Sequence, residues 1–428
     1  MKNIIQPVKG TRDFYPEQMT IRTWLYDLLR QVSESFGYQE WEAPFLESLE
    51  LYAAKSSEEI VREQSYVFED RGGKMITLRP ELTPSLARMV AQKQNELVFP
   101  LRWWSFGPFW RYERPQKGRT REFFQWNVDL LGPNSPESDA ENVAVLATLF
   151  KTVGLTPKEV CIMVSDRRLL DAQLNAFAVP PESRAAVSAW IDRRDKLSAE
   201  AWRANARELG LSDQQLSKVE AMLADKDLWK TSAELPRFFE AIGSLGLSDY
   251  VRFDAGVVRG FTYYTGTVFE AWEVGGDIKR AILGGGRYDR LLADVGGDRL
   301  PAVGYAMGDV VFTLMLEKYG LLPKELKVNP AEVLVTVFSQ ELFSESLRLA
   351  SELRAGGLNV VCYPEPAKLP KQFKYADRMG MRLVTVLGPD EAAAGKVTLK
   401  DLKSSAQQTV LRADTARAVR QILESQGT

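Results

Sequence analysis

The chain has 428 residues, enough for two or three domains, and its 45% hydrophobic and 26% charged composition is that of an ordinary soluble globular protein. With 55 basic against 57 acidic residues the net charge is −2, so no global field marks a polyanion binder and any such site must be local. There is no histidine, which excludes Ser–His and Cys–His nucleophilic schemes and an imidazole base, and two distant cysteines, Cys161 and Cys362, leave no structural zinc or other metal set. Catalysis must then rest on Arg, Lys, Glu, Asp, Tyr and backbone groups with Mg²⁺, which suits attack on a phosphate. MKNIIQPVKG lacks the apolar core of a signal peptide, and no apolar run approaches the ~18–20 residues that span a bilayer. Neither membrane nor secretion is expected, and two buried free thiols fit a cytoplasmic location.

Residues 17–36 place Ile21, Trp24, Leu25, Leu28, Leu29 and Val32 at helical spacings, and Gly37 ends the run. YQEWEAPFLES then reads as a strand broken by Pro44. Two strands flank the turn at Arg71–Gly73, and TLRPELTPSLAR leads into a helix, presenting Arg79, Glu81 and Thr83 at its entrance. A carboxylate there also serves simply as a favourable charge at a helix N-terminus.

Trp104 to Glu113 reads as an aromatic-rich strand, RPQKGRT as a polar loop, and 121–130 as a second strand of period 2. Phe124, Trp126, Val128 and Leu130 point one way, Arg121, Phe123, Gln125, Asn127 and Asp129 the other. The free face of this hairpin thus carries Arg111, Glu113, Gln125 and Asp129, and its tip Arg114, Lys117 and Arg119. Such a floor can hold a small zwitterion beside a phosphate, and a basic tip can meet a polyanion. A solvated amphipathic hairpin has the same pattern.

Residues 134–153 read as loop and helix, 159–166 as a strand, and 167–248 as a charged, Ala/Leu-rich helical segment. Strand pattern returns over 250–272, where Arg259 sits in an apolar run and needs a partner charge. Gly284, Gly285 and Gly286 allow close approach of a ligand or of other chain, and 301–316 reads as a strand entering a helix. After a linker at 323–330, alternating strands and helices argue a small α/β domain with a mostly parallel sheet. Its second helix is expected to carry Lys368, Lys371, Lys374, Arg378 and Arg382 against one acid, Asp377, as a basic face that suits either solvent or RNA.

The segments FWRYERPQKGRTREFFQWNVDLLG, RGFTYYTGTVFE (259–270) and GGGRYDRL (284–291), in that order, resemble class II aminoacyl-tRNA synthetases in the form used by the histidyl-tRNA synthetase family. The resemblance runs from KGTRDFYP to the last strand near 410. It implies an α+β catalytic core, an antiparallel sheet flanked by helices over 1–325, with 167–248 inserted, and an α/β anticodon-binding domain over 331–428. It implies a homodimer acting on L-histidine, ATP and tRNA(His), without a membrane partner. The implied catalytic pair is Arg111 and Arg259. Glu81, Leu82, Thr83, Gln125, Asp129, Tyr263 and Tyr264 would hold the amino acid. Arg111, Glu113, Arg119, the three glycines and Arg287 would hold ATP with Mg²⁺. Arg114, Lys117, Lys368, Lys371, Lys374 and Arg378 would meet tRNA.

Two departures from the family pattern stand out. Thr262 replaces the usual Asp near the pocket, and Val311 stands where an arginine usually grips the γ-phosphate. The second departure favours an alternative, a non-catalytic paralogue serving as regulatory subunit of ATP phosphoribosyltransferase. A third reading is an RNA-binding protein without catalysis. Against the regulatory-subunit reading stand the intact Arg111, Glu81, Gln125 and Arg259 and the C-terminal domain, which such subunits usually lack; the expectation is an active enzyme in which Arg114, Arg119, Arg121 or Arg287 substitutes at the pyrophosphate end.

Overall fold

The apolar residues at spacings of three and four make α1 (Pro16–Ser35) in the computed structural model, with Leu25, Leu28, Leu29 and Val32 buried. The structure describes residues 4–53, 60–194, 197–259, 263–278 and 280–425. Thr262 lies outside them. Contacts divide the chain into two units, Met1–Asp13 with Thr23–Leu322, and Phe14–Arg22 with Pro323–Thr428.

The first unit continues with β1 (Gln39–Glu40), β2 (Leu46–Ser48), α2 (Leu49–Ala53), β3 (Tyr66–Glu69), β4 (Met75–Leu78) and α3 (Thr83–Lys93). The strand expected over Tyr38–Ser48 is two short ones, because Pro44 removes a ladder donor between them. The hairpin follows as β5 (Leu101–Trp110) and β6 (Glu122–Leu131), then α4 (Pro136–Thr152) and β7 (Val160–Asp166). The segment expected to be helical holds α5 (Arg167–Ala176), α6 (Arg184–Ile191), α7 (Ala199–Glu208), α8 (Asp213–Ala224) and α9 (Leu235–Ser244). Then come β8 (Val251–Phe253), β9 (Thr267–Glu273), β10 (Leu283–Arg287), α10 (Leu291–Asp294), β11 (Ala302–Gly308) and α11 (Asp309–Lys318).

Eight strands form one sheet in the order β1-β5-β6-β11-β10-β9-β7-β8. Its inner pairings are antiparallel, but β1–β5 and β7–β8 are parallel, so the sheet is mixed at both edges. The β7–β8 pair is parallel because the whole helical segment forms its crossover. A small antiparallel sheet, β2-β4-β3, stands beside it.

Strand parity sets the two faces of the large sheet. Trp104, Trp126, Val128, Leu130, Phe269, Val303 and Met307 point to a core shared with α1, α4 and the inserted helices. Leu101, Phe109, Leu131, Val268 and Ala302 point to a second core under α3 and α10. Between the ends of that second face the residues change to polar or glycine, and the functional site occupies this gap.

The second unit has β12 (Val333–Val335), α12 (Phe343–Ala355), β13 (Val360–Cys362), α13 (Leu369–Arg378), β14 (Leu383–Val386), α14 (Pro389–Ala393), β15 (Lys396–Asp401), β16 (Gln407–Leu411) and α15 (Thr415–Glu424). Its sheet, β13-β12-β14-β15-β16, is parallel over the first three strands and antiparallel over the last three, so the mostly parallel expectation holds for half of the pairings. Short connections across β15 and β16 force the antiparallel half. Both cysteines are free thiols.

One expected ATP contact is reassigned here. Arg287 is 1% exposed. Its guanidinium donates to Asp139 at 2.5 Å, to Asp289 at 3.2 Å and to the Ser138 hydroxyl at 3.0 Å, tying β10 to α4. A charge so fully partnered holds the scaffold and has no valence left for a phosphate. Arg287→Gln should therefore leave Asp139 buried without its cation and cost about 3–5 kcal/mol in urea unfolding. An unchanged midpoint would return Arg287 to the ligand side.

Candidate active site

A cavity of about 110 Å³ opens on the polar stretch of the sheet. Glu81, Leu82 and Thr83 border it from the entrance of α3, Arg111 from the hairpin, Gln125 and Asn127 from β6, Arg259, Tyr263 and Tyr264 from the segment before β9, Gly284 from β10, Tyr288 just after it, and Gly304, Tyr305 and Ala306 from β11. Side chains predicted as separate motifs in sequence thus converge on one wall.

Each is placed by a local cause. Arg111 and Glu113 were expected on a strand, but β5 ends at Trp110. The Arg111 N–H still bonds to Arg121 O at 2.9 Å, in register with the ladder, but the next N–H goes to Gln64 O at 2.6 Å, which pulls the chain off it. This turns the Arg111 guanidinium inward, where its Nε donates to Pro80 O at 2.9 Å. Burial lowers its pKa, with Glu81 and Glu113 opposing. Arg79, beside the cavity entrance in sequence, is fully buried behind it, pairing with Glu42 and donating to Pro108 O at 2.9 Å. Leu82 is 1% exposed and packs into the second core.

Arg259 was expected in a strand. It lies instead in a loop, at φ 64°, a left-handed conformation rare for a side-chain-bearing residue. Before Arg259, Asp254 caps its own turn, accepting from Gly256 N at 2.8 Å; Arg167 donates to Arg259 O at 3.5 Å and to Tyr264 O at 3.2 Å. The guanidinium pairs with Glu270 on β9. Burial is the largest influence and acts to lower its pKa, but the charge and hydrogen bond of Glu270 together with Tyr264 and Tyr263 outweigh it, and the net shift is upward. Among the described residues its buried Nε has no partner, an unused donor of the sort an anion fills.

The glycines serve the protein's own side chains. A Cβ on Gly284 would overlap the Arg259 guanidinium, and one on Gly304 would overlap Asp129 Oδ1, its cross-strand neighbour. Gly286 is covered by Tyr264, 2.8 Å from where its Cβ would lie, and Gly285 faces Tyr305 and Phe269 in the first core. Gly285 and Gly286 are thereby corrected from ligand contacts to packing positions, while Gly284 remains on the cavity wall.

Asp129 sits one layer behind the wall, where its Oδ1 accepts from the Tyr288 hydroxyl at 2.5 Å. Asn127, Tyr288, Gly304, Tyr305 and Ala306 are cavity residues not expected from the sequence. The signal for Gly304 was its register opposite Asp129, which requires the sheet order to read.

Beyond the cavity, Arg119 pairs with Glu113, while Arg114 and Lys117 are exposed at the hairpin tip. Gly118 lies over α11, where a Cβ on it would be 3.7 Å from Val311 Cγ2. Arg121 stacks on Tyr112 at 4.0 Å and donates to Glu113 O, which ties it into the loop. In the second unit Lys368, Lys371, Lys374 and Arg378 are all exposed along α13. Arg382 leaves that face, because it pairs with Asp401 at 3.2 Å.

Comparison with known proteins matches residues 10–309 to a histidyl-tRNA synthetase family model and 332–422 to an anticodon-binding domain. The chain is 39% identical to a chloroplastic/mitochondrial histidine–tRNA ligase of Arabidopsis thaliana, over 96% of this chain and 86% of the relative. It is 38% identical to a histidine–tRNA ligase of Opitutus terrae, over 97% and 98%. The crystal structure of histidyl-tRNA synthetase from Nostoc sp. superposes with a TM-score of 0.79 at 28% identity, covering 99% of this chain and all of that one.

Asp129 gives the site a measurable pH signature. Burial raises its pKa to about 7, with the Tyr288 hydrogen bond pulling the other way. The unfolded carboxyl titrates near 4, so between about pH 4 and 7 the folded chain keeps a proton that the unfolded chain has lost. Stability from this group is full below pH 4 and is lost as pH rises through 7. Asp129→Asn, which can still accept from Tyr288, should unfold at a higher urea concentration than the parent at pH 8, by a few kcal/mol at most. The two should converge near pH 4. A gap independent of pH would show that Asp129 is not the titrating group.

Proposed function

Because the chain belongs to the histidyl-tRNA synthetase family, we infer that this cavity is where an aminoacyl-tRNA ligase brings L-histidine beside ATP. The reaction is the ATP-dependent activation of histidine and its transfer to tRNA(His). The histidine carboxylate attacks the α-phosphate, the bond to pyrophosphate breaks, and histidyl-adenylate forms. A hydroxyl of the 3′-terminal ribose of tRNA(His) then takes the acyl group and AMP leaves. The observation that carries this reading is the convergence, on one walled sheet face, of Glu81 and Gln125 with Arg111 and Arg259. One end of such a pocket suits an ammonium group and the other a phosphate.

Glu81, Thr83 and Gln125 are assigned to the α-amino group. Arg111 and Arg259 are assigned to charge developing at the α-phosphate, in a site where a preset guanidinium needs no reorganisation. Tyr263 and Tyr264 form the wall of the side-chain pocket, and Tyr264 and Tyr288, with Asp129 behind, meet the imidazole. An apolar analogue would leave these buried groups unpaired and should be strongly rejected. Glu113, Arg119 and Gly284 are assigned to the nucleotide. Among the described residues no three acidic or thiol side chains gather into a metal cage. Mg²⁺ is therefore proposed to enter on the triphosphate, with Glu113 and Glu270 as the nearby carboxylates; bound there it would neutralise phosphate charge.

Arg114 and Lys117 at the hairpin tip, and Lys368, Lys371, Lys374 and Arg378 on α13, are proposed to meet tRNA. A homodimer is supported by apolar side chains around the small sheet, where Phe45, Leu46, Phe68 and Met75 are 43–49% exposed; sedimentation gives the mass that decides it. Among the described residues no helix is long and apolar enough to cross a membrane, and a cytoplasmic location is proposed. Val311 keeps the regulatory-subunit reading in view, but the names of the relatives favour the ligase.

The deciding experiment is histidine-dependent ATP–pyrophosphate exchange, which only the ligase reading predicts. Arg259→Lys keeps the charge and loses the planar fork, so exchange should fall about 10²–10³-fold with little change in melting temperature. Full exchange in the variant, or its unfolding, would remove Arg259 from the catalytic group. Changing Lys371 and Lys374 together to Ala should weaken tRNA binding and lower its salt slope by about 2, with exchange unchanged. Unaltered tRNA affinity at low salt would reject the α13 surface.

A further inference from the structure

The end of the large sheet above the cavity gathers three segments. Strand β6 starts there at Glu122, β11 ends there at Gly308 opposite Gln125, and β10 begins there at Leu283 opposite Met307. The hairpin loop, the first turn of α11 and the β9–β10 turn therefore meet at one edge. The loop is pinned by a tight bend in which Gln116 and Arg119 exchange backbone hydrogen bonds of 3.0 and 2.8 Å. Gly118 at that bend lies against Val311 and Leu314 of α11. An uncharged surface on α11 thus seats the loop and offers no cation.

In the first turn of α11 the Asp309 carboxylate is paired with Arg12 at 2.8 Å and accepts from the Phe124 N–H, so the uncompensated charge at this edge comes from the other side. Arg119 pairs with Glu113, whose side chain is 9% exposed. Arg280, on the β9–β10 turn three residues before β10, lies within electrostatic reach of both: burial and the Arg119 charge lower its pKa, and Glu113 opposes them. Arg280 is half-buried, and among the described residues its side chain makes no hydrogen bond or ion pair. Two guanidiniums share one carboxylate, which leaves an uncompensated positive charge held close to a second cation. Arg111 is felt by the same pair, so positive charge runs from the cavity to this edge. A group of several adjacent negative charges complements such a row, and a lone carboxylate does not.

We propose that Arg280, beside Arg119, binds the terminal phosphates of the nucleoside triphosphate, supplying from the β9–β10 turn the cation that α11 lacks at Val311. This rests on the ligase reading above. It makes Arg280 a phosphate-binding residue of the first half-reaction, with no contact to the amino acid.

The test separates the terminal phosphates from the rest of the nucleotide. Binding of ATP and of AMP is measured by calorimetry for the parent, Arg280→Gln and Arg280→Lys, with tRNA binding and melting temperature alongside. Arg280→Gln should lose about ten-fold or more in ATP affinity with AMP affinity unchanged, and Arg280→Lys should recover part of it. In exchange assays the KM for ATP and for pyrophosphate should rise together while the KM for histidine stays. Unchanged ATP affinity overturns the proposal, as does an equal loss for AMP, which would mean a role in shaping the site. Weaker tRNA binding with normal ATP binding would assign Arg280 to RNA instead. A parent that binds ATP but shows no histidine-dependent exchange would sink the ligase reading, while the calorimetric comparison would still decide Arg280.

Discussion

Arg79, Arg111, Arg259 and Arg287 all enter the interior at the large sheet, Arg287 on the α4 face and the others toward the cavity side, and an interior guanidinium must meet negative charge or carbonyl oxygen. Arg79 and Arg287 are fully met: one by Glu42 and backbone carbonyls, the other by Asp139, Asp289 and a hydroxyl. These two lock α3 and α4 to the sheet. Arg111 and Arg259 are met only in part, Arg111 by one carbonyl and nearby carboxylates, Arg259 by Glu270 with its Nε left over. The difference in partnering separates scaffold from site among residues of one type. Room for these side chains is made by removing Cβ atoms opposite them, at Gly107 for Arg79 and Gly284 for Arg259.

Burial does the electrostatic work at the other end of the cavity. Asp129 has a single close hydrogen-bond donor, Tyr288, and no cation within pairing distance among the described residues, so desolvation dominates and its proton is held to about pH 7. In the proposed reading, a carboxyl poised there fixes the Tyr288 hydroxyl that meets the ring, beside tyrosines whose own pKa values are pushed up by burial. Selectivity for a ring with two nitrogens then follows from the cost of leaving these groups unpaired. The chain proposed to carry out this recognition contains no histidine itself.

Aromatic alternation on β5 and β6, helical spacing on α1 and the helical composition of 167–248 determined their elements by sequence alone, since each depends on neighbours a few residues apart. The parity of β6 likewise determined which of its residues face the site. Where strands stopped was decided by tertiary structure: Arg111 left the ladder because Gln64, far away in sequence, captured the next N–H, and Arg259 became a loop residue because Arg167 and Glu270 hold it there.

Roles that depend on a partner distant in the chain were out of reach of pattern. Arg287 beside three glycines reads as a ligand contact until α4 supplies Asp139, 148 positions away. The glycines read as space for a nucleotide until Arg259, Tyr264, Tyr305 and Phe269 are seen to occupy it. Tyr288 and Gly304 gained meaning only when β10 and β11 came to lie between β6 and β9, the order that puts Gly304 opposite Asp129. Sequence determined which side chains were available to hold a zwitterion and a phosphate. Tertiary structure decided which of them keep a free valence, because valence is used up by whatever neighbour the fold brings within hydrogen-bonding distance.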